Sequence, residues 1–362
     1  VLPRVELATV ADEPELRRLL RDNPMEGAIR VSLEREPDAF LAASIEGHPH
    51  ASVVARHPED GHVLGMGSRA VVDAFVNGEP RRVGYLSQLR VERSSRGRRH
   101  LLSRGYARLG ALRAPDEERF DFTTIIADNA PALRLLNAGV PGLPSYRLLE
   151  TLVTLVIPTW PAPRPARGVE RADGARLAAV ADCLQRNGRR FQLARRWTAE
   201  DLASADRCRG LSPDDVFVAT MGGRVTACAA LWDQRAFKQV VVRGYGPTLS
   251  RVRPLYNLAA RLLRAPCLPD VGAALPHAHL SHLAVDGDDP VVFEALLAAA
   301  LREAGRRGLA YVVAGFSERH PLLAVARRLR RCREYCSLLH IVHGGPPPEL
   351  DGRVAHLEVA TL

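Results

Sequence analysis

The sequence predicts a mixed α/β fold built as two similar units in tandem. Three observations carry this reading. Stretches with the two-residue period of strands alternate along the chain with stretches of helical period. Pro158, Pro161, Pro163 and Pro165 crowd into one mid-chain run, and such a run behaves as a stiff extended spacer rather than as part of a sheet interior or helix. The segment LSQLRVE at 86–92 returns as LSHLAVD at 280–286, each time as a strand-like stretch entering a loop and then a long helix. Repeated units share a fold and an interface. The units are placed at 1–157 and 169–362, with 158–168 as spacer, and a length of 362 residues suits two domains.

In the first unit the pattern predicts helices over 13–21 and 37–45, then strands over 51–56 and 62–76. Asn77-Gly78 predicts a two-residue hairpin leading into a strand over 82–92. A helix over 97–113 follows, with Leu101, Leu102, Tyr106, Leu109 and Leu112 on one face. A strand over 120–127, a short helix over 130–137 closed by Gly139, and strands within 146–157 complete the unit. After the spacer the order recurs: a helix over 175–186, a Gly222-Gly223 hairpin, a helix over 290–306, then strand, helix and strand. Pro131 and Pro321 open the later short helix in both copies.

Composition narrows the function classes. The longest apolar stretch, 148–157, contains Glu150 and falls far short of the roughly 20 residues that span a bilayer. No membrane segment is predicted, and with no basic stretch leading into an apolar one near the start, the expected location is cytoplasmic. Six cysteines without a CxxC pair read as reduced thiols. The formal charge of +9 rests almost wholly on arginine, Lys238 being the sole lysine, and it favours anionic ligands.

The chemistry concentrates in one loop. Arg93, Arg96, Gly97, Arg98, Arg99 and His100 lie between a strand and a helix, where main-chain N–H groups and the helix's positive end hold phosphate and arginines add charge-assisted contacts. The strand before it ends in Leu89-Arg90-Val91, and Asp128-Asn129-Ala130-Pro131 opens the later helix. On these residues the first unit resembles the GNAT acyltransferase superfamily, whose signature is a strand ending L-x-V, an (R/Q)-x-x-G-x-(G/A) loop and a helix. The resemblance covers most of 1–157 in element order, and the second unit matches more weakly.

It implies two GNAT-like domains in tandem and an acyltransferase that moves an acyl group from acetyl-CoA or another acyl-CoA to an amine of a small molecule or peptide, without a metal. It further implies that the signature strand splays from its neighbour. The pantetheine arm would then meet the main chain around Leu89, Arg90 and Val91, and the pyrophosphate would meet Arg96, Gly97, Arg98, Arg99, His100 and Leu101, with Asn129 at the start of the later helix. Arg99 and Leu101 stand where the family has small residues, and Leu136 stands where it has a tyrosine. Tyr85 falls at the family's general-base position. Ser87 lies two residues on, on the same strand face, so the pair is expected to order a water for proton transfer.

In the second unit Asp286, Asp288 and Asp289 occupy the equivalent loop, and carboxylates there repel a pyrophosphate. That copy is expected not to bind coenzyme. Two other readings stand beside the acyltransferase: an aminoacyl-tRNA-dependent transferase, which the positive charge would suit, and a non-catalytic ligand sensor or scaffold. His277, His279 and His282 do not form a metal set, because alternation along a strand turns His282 away from the other two. The arginines of 327–333 read as a solvated helix face.

Overall fold

A computed structural model of the chain describes residues 3–95, 99–165, 167–263, 265–329 and 332–362. The first unit runs β1 (Arg4–Leu7), α1 (Glu13–Arg21), β2 (Ile29–Glu34), α2 (Ala43–Glu46), β3 (His50–Arg56), β4 (Val63–Val76), β5 (Glu79–Val91), α3 (Arg99–Gly110), β6 (Glu117–Ile126), α4 (Ala130–Leu136) and β7 (Ser145–Pro158). The second runs β8 (Glu170–Arg171), α5 (Leu177–Gly188), α6 (Ala199–Ala203), β9 (Val216–Met221), β10 (Arg224–Trp232), β11 (Gln239–Tyr245), α7 (Pro247–Leu262), β12 (His277–Val285), α8 (Pro290–Arg306), β13 (Tyr311–Ser317), α9 (Pro321–Leu329) and β14 (Arg333–His343).

Twelve strands form one sheet in the order β1-β3-β4-β5-β6-β14-β7-β13-β12-β10-β9-β8. The units meet by exchanging their last strands. β14 pairs with β6 of the first unit, β7 pairs with β13 of the second, and β7 and β14 lie antiparallel beside one another at the centre. The exchange is buried: Leu339 and Ile341 of β14 join Val72, Val83, Phe120 and Phe122 in the first unit's core, while Val153, Leu155 and Ile157 of β7 pack with Phe293, Leu297 and Leu301 of α8. Removing either strand would uncover both cores. A separate two-stranded ribbon of β2 and β11 makes a second bridge between the units.

Both hairpins read from sequence are present. Val76 pairs with Glu79 across Asn77 (φ 52°) and Gly78 (φ 83°), and Met221 with Arg224 across Gly222 (φ 57°) and Gly223 (φ 77°). Positive φ at both turn residues matches the strands' right-handed twist, which is why these dipeptides sit there. Two readings need correction. The helix expected over 37–45 is only α2, because Asp38 folds the preceding residues into turns, its Oδ1 accepting the Phe40 N–H at 2.7 Å and its carbonyl the Leu41 N–H at 3.3 Å. Residues 29–34, an alternating apolar–polar run outside the strands read from sequence, form β2, whose partner is more than 200 residues away in the chain. Among the described residues no helix is long and apolar enough to cross a membrane.

Gly84 marks where β5 crosses a buried ion cluster. Arg69 Nε donates to Asp121 Oδ1 at 3.0 Å, Arg113 donates to Asp121 Oδ2 at 2.7 Å, and Arg69 also pairs with Glu117. A Cβ on Gly84 would lie 1.8 Å from Asp121 Oδ1 and 2.5 Å from the Arg69 guanidinium. Gly84→Ala must therefore push the pair apart inside the core. We expect a loss of about 3 kcal/mol of unfolding free energy, read from urea denaturation.

Candidate functional site

β5 and β6 run parallel and stay paired only as far as Tyr85 and Phe122. Beyond that point they part, with Thr123 Oγ1 donating to the Leu86 carbonyl at 2.7 Å to close the base of the fork. At the mouth of the fork β5 bulges: Ser68 faces Ser87 and Met66 faces Arg90, so Gln88 and Leu89 oppose the single residue Gly67. Gln88 takes up the turn at φ 55°. The second unit repeats this. β12 and β13 part after His279 and Val313, and His282 and Leu283 form the matching bulge, with His282 at φ 49°. The repeated segment in the sequence therefore encodes a repeated bulge and fork.

The two forks have different fates. In the second, the chain's own segment 355–361 fills the gap. Ala355 bridges to Gln192, Glu358 Oε1 accepts the His282 main-chain N–H at 3.1 Å and the Trp197 indole N–H at 3.2 Å, and Val359 packs so tightly on Gly315 that a Cβ there would lie 2.0 Å from it. The carboxylates of the following loop are engaged within the chain, Asp288 by Arg190. Asp286 accepts from Arg186 and Asn187, and Asp289 caps α8 by accepting from the N–H groups of Val291 and Val292.

Beside the first fork lies a carboxylate that the sequence reading missed. Glu46, at the end of α2, is fully buried and pairs with Arg35, itself only 7% exposed. Ser87 Oγ donates to Glu46 Oε2 at 3.1 Å, and Gln88 Nε2 donates to Oε1 and Oε2 at 3.3 and 3.2 Å. His50 Nε2 lies 3.5 Å from Oε2, and Arg195 from the second unit donates to the Glu46 main-chain carbonyl. Burial would raise the Glu46 carboxyl, but Arg35 and His50 more than offset it and hold it well below the usual carboxylate range. Glu46 is thus a fixed negative charge that orients the two fork residues Ser87 and Gln88.

Lys238, just before β11 in the second unit, feels the charges of Arg35 and Glu46. Its Nζ donates to the carbonyl oxygens of Ala360 and Leu362 at 3.0 and 2.9 Å, and Gln234 Nε2 shares the Ala360 oxygen at 3.0 Å. Burial, and then the Arg35 charge, lower its pKa to about 7 despite the opposing pull of Glu46. The segment that plugs the second fork is therefore tied to this lysine.

The residues expected from sequence distribute as follows. Tyr85 is buried, with its ring stacked on Phe122 at 5.0 Å. Burial and then the Glu46 charge push its hydroxyl above the ordinary tyrosine range, so it keeps its proton at neutral pH. Ser87 joins it beside Glu46. Leu89 is exposed at the bulge, Val91 ends the strand, and Arg90 donates back to the Leu89 carbonyl at 3.0 Å. Arg99 opens α3 and His100 is exposed in its first turn, whereas the Leu101 side chain is buried in the core. Asn129 caps α4, its Oδ1 accepting from the Ala132 N–H at 3.3 Å. Arg96, Gly97 and Arg98 lie outside the described residues.

No protein-family model and no curated protein matches the sequence. Solved structures do resemble the fold. The chain is similar to Saccharomyces cerevisiae N-myristoyltransferase with bound myristoyl-CoA, with a TM-score of 0.63 at 14% identity, covering 98% of this chain and 84% of that one. It is also similar to a GCN5-related N-acetyltransferase from Sphaerobacter thermophilus, with a TM-score of 0.56 at 16% identity, covering 96% and 98%. Alignment over nearly the whole length takes in both forks and the exchanged strands. The chain therefore has the fold of the GNAT superfamily, as two GNAT-like units in tandem sharing one sheet.

Proposed function

We propose that this chain is an acyl-CoA-dependent N-acyltransferase with one site per chain, at the first fork. The observation that carries the reading is the asymmetry of the two forks. One is filled by the chain's own tail, and the other exposes Leu89 at the bulge with a buried charged cluster at its side. The similar folds bind myristoyl-CoA or are named as N-acetyltransferases, which supports an acyl-CoA as co-substrate.

In this reading the pantetheine arm lies along the main chain from Leu89 to Val91, and the pyrophosphate meets the arginine-rich loop that leads into α3. The acceptor is an amine of a small molecule or a peptide. Its nitrogen attacks the thioester carbonyl, whose oxygen is polarised by main-chain N–H at the bulge. The carbon–sulfur bond then breaks, and coenzyme A leaves as the thiolate, which takes a proton from solvent. Tyr85 and Ser87 hold a water in the path of the amine's proton, Ser87 being oriented by Glu46. Glu46 is too firmly ionised to keep that proton. Within this cluster Lys238 has the matching proton affinity. A neutral amine has two N–H groups and one lone pair, and the two hydrogen bonds to Ala360 and Leu362 use the former and leave the latter. The expected location is the cytoplasm, where acyl-CoA is available.

Calorimetric titration of acetyl-, octanoyl- and myristoyl-CoA tests the reading. One of the three is expected to bind at a single site, and Arg96→Ala/Arg98→Ala to weaken it at least tenfold by removing charge from the pyrophosphate. No binding of any of them at millimolar concentration would overturn it.

A further inference from the structure

We propose that the turn joining β3 to β4 is a site for a divalent transition metal, with zinc the best match, bound by His57, Asp60 and His62. This site lies outside the acyl-transfer cluster and does not depend on the function assigned to it. The turn brings one donor atom from each of the three residues within 4.8 Å of one another. His57 Nδ1 lies 3.1 Å and His62 Nδ1 2.7 Å from Asp60 Oδ1, and the two imidazoles stack with centroids 5.1 Å apart and planes 20° apart. In a tetrahedral zinc site with bonds near 2.0–2.1 Å, neighbouring donors stand about 3.3 Å apart. The two histidine–Asp60 separations stand close to that spacing, and turning the imidazoles out of their stack aims both nitrogens at one ion.

The protonation pattern points the same way. The Glu59 main-chain N–H reaches His57 Nδ1 only at 3.4 Å, which marks this nitrogen as the ring's acceptor, and an ion would displace that long contact. On the far side of the other ring, His62 Nε2 faces Glu92 Oε2 at 3.5 Å. A carboxylate that takes the Nε2 proton leaves Nδ1 as the ligating nitrogen, the outer-shell arrangement typical of metal-bound histidine. With Nε2–H turned to Glu92, a neutral His62 sets a lone pair against the Asp60 carboxylate. The arrangement is one positive charge short. A metal ion held in the planes of both rings, which must turn out of their stack to reach it, supplies it.

The backbone holds the donors in place before any ion arrives. The His57 N–H donates to the His62 carbonyl at 2.9 Å, the Gly61 N–H donates to the His57 carbonyl at 3.1 Å, and Gly61 turns the chain at φ 76°. The side chains of His57, Asp60 and His62 are 30, 62 and 38% exposed, which leaves the remaining coordination positions to water. Two imidazoles and a carboxylate suit zinc or cobalt far better than magnesium or calcium, which take oxygen donors. Bound there, the ion would tie the β3–β4 turn through His62 to Glu92, the residue that follows β5 and leads into the arginine-rich loop. The sequence reading passed over this set because His-x-x-Asp-x-His matches no common zinc spacing, and only the closed turn brings the donors together.

The test is titration of Zn2+ and of Co2+ into the full chain after treatment with EDTA, followed by calorimetry and by visible absorption of the cobalt form. One equivalent is expected to bind with micromolar affinity and to raise the melting temperature. His57→Ala and His62→Ala should each weaken binding at least thirtyfold. Asp60→Asn keeps an oxygen to accept the His62 N–H and so preserves the turn, yet should weaken binding at least tenfold. Circular dichroism of each variant checks that it folds. The absence of binding at 100 μM metal, or binding unchanged by all three substitutions, would overturn the proposal and leave protonated His62 as the missing charge. A thiolate-to-cobalt charge-transfer band would also overturn it, by placing the ion on cysteine instead.

Discussion

Replacing Glu46 by alanine is expected to cost about 3–5 kcal/mol of stability and, with it, to abolish the proposed acyl transfer. The size follows from what is left behind. Arg35 is almost fully buried and has Glu46 as its counter-charge, and a buried guanidinium without its carboxylate is among the costliest single defects in a core. Ser87 and Gln88 lose the acceptor that fixes their side chains at the bulge, so the fork loses its geometry at the point where the thioester would sit. Glu46→Gln separates the two effects. It keeps an oxygen for Ser87 and the volume of the side chain, so it should fold, with a smaller stability loss and a transfer rate still reduced. The acid limb gives an independent check. The folded-state pKa of Glu46 is lowered, so the folded protein binds fewer protons than the unfolded chain below an unfolded value of about 4.3. The stability it contributes is complete above that pH and lost as pH falls. Urea unfolding between pH 3 and 6 should show a steeper fall for the wild type than for Glu46→Gln. Equal slopes would mean that Glu46 is not held ionised.

How much of this was legible in the sequence depends on how local each feature is. The hairpins at Asn77-Gly78 and Gly222-Gly223 are set by the backbone needs of two residues, and they were readable. The repeat at 86–92 and 280–286 was visible as a repeat, and its structural content is the pair of bulges at Gln88 and His282. The strand exchange left no trace, because β14 reads the same whether it closes its own unit or the other one. The pairing is settled only when Leu339 and Ile341 meet Phe120 and Phe122. Glu46 was invisible for a similar reason. A lone glutamate in a short helical stretch reads as surface. Of its partners, Arg35 is 11 residues away, Ser87 is 41 and Arg195 is 149. The aspartates of the second loop were read as repelling a pyrophosphate, and the structure adds that Asp286 is already satisfied by Arg186 and that the fork behind it holds residues 355–361. Asn129 shows the opposite limit: a residue singled out by resemblance has its side-chain oxygen engaged in capping α4.

Lys238 offers the sharpest reading of the proton path, because it is the sole lysine in the sequence. Incorporation of carbon-13 lysine labels one side chain without altering its amine, and the NMR titration of its Cε should have a midpoint near 7 instead of the usual value of about 10.4. The sign is fixed by the physics. Burial and the Arg35 charge both disfavour the ammonium form, and only Glu46 opposes them, so Glu46→Gln should move the midpoint further down. The catalytic consequence follows. A group that is half deprotonated at pH 7 can take the acceptor's proton, whereas arginine, with a pKa above 12, cannot. Lys238→Arg keeps a positive charge and donors for Ala360 and Leu362, so it tests the lone pair and not the tether. Its kcat for thiol release from acyl-CoA, measured with an amine acceptor, should fall by about a hundredfold, within the range of general acid–base effects, and the limb of the pH profile near 7 should vanish. If the limb persists in the arginine variant, the proton leaves by another route and Lys238 serves only to hold the tail.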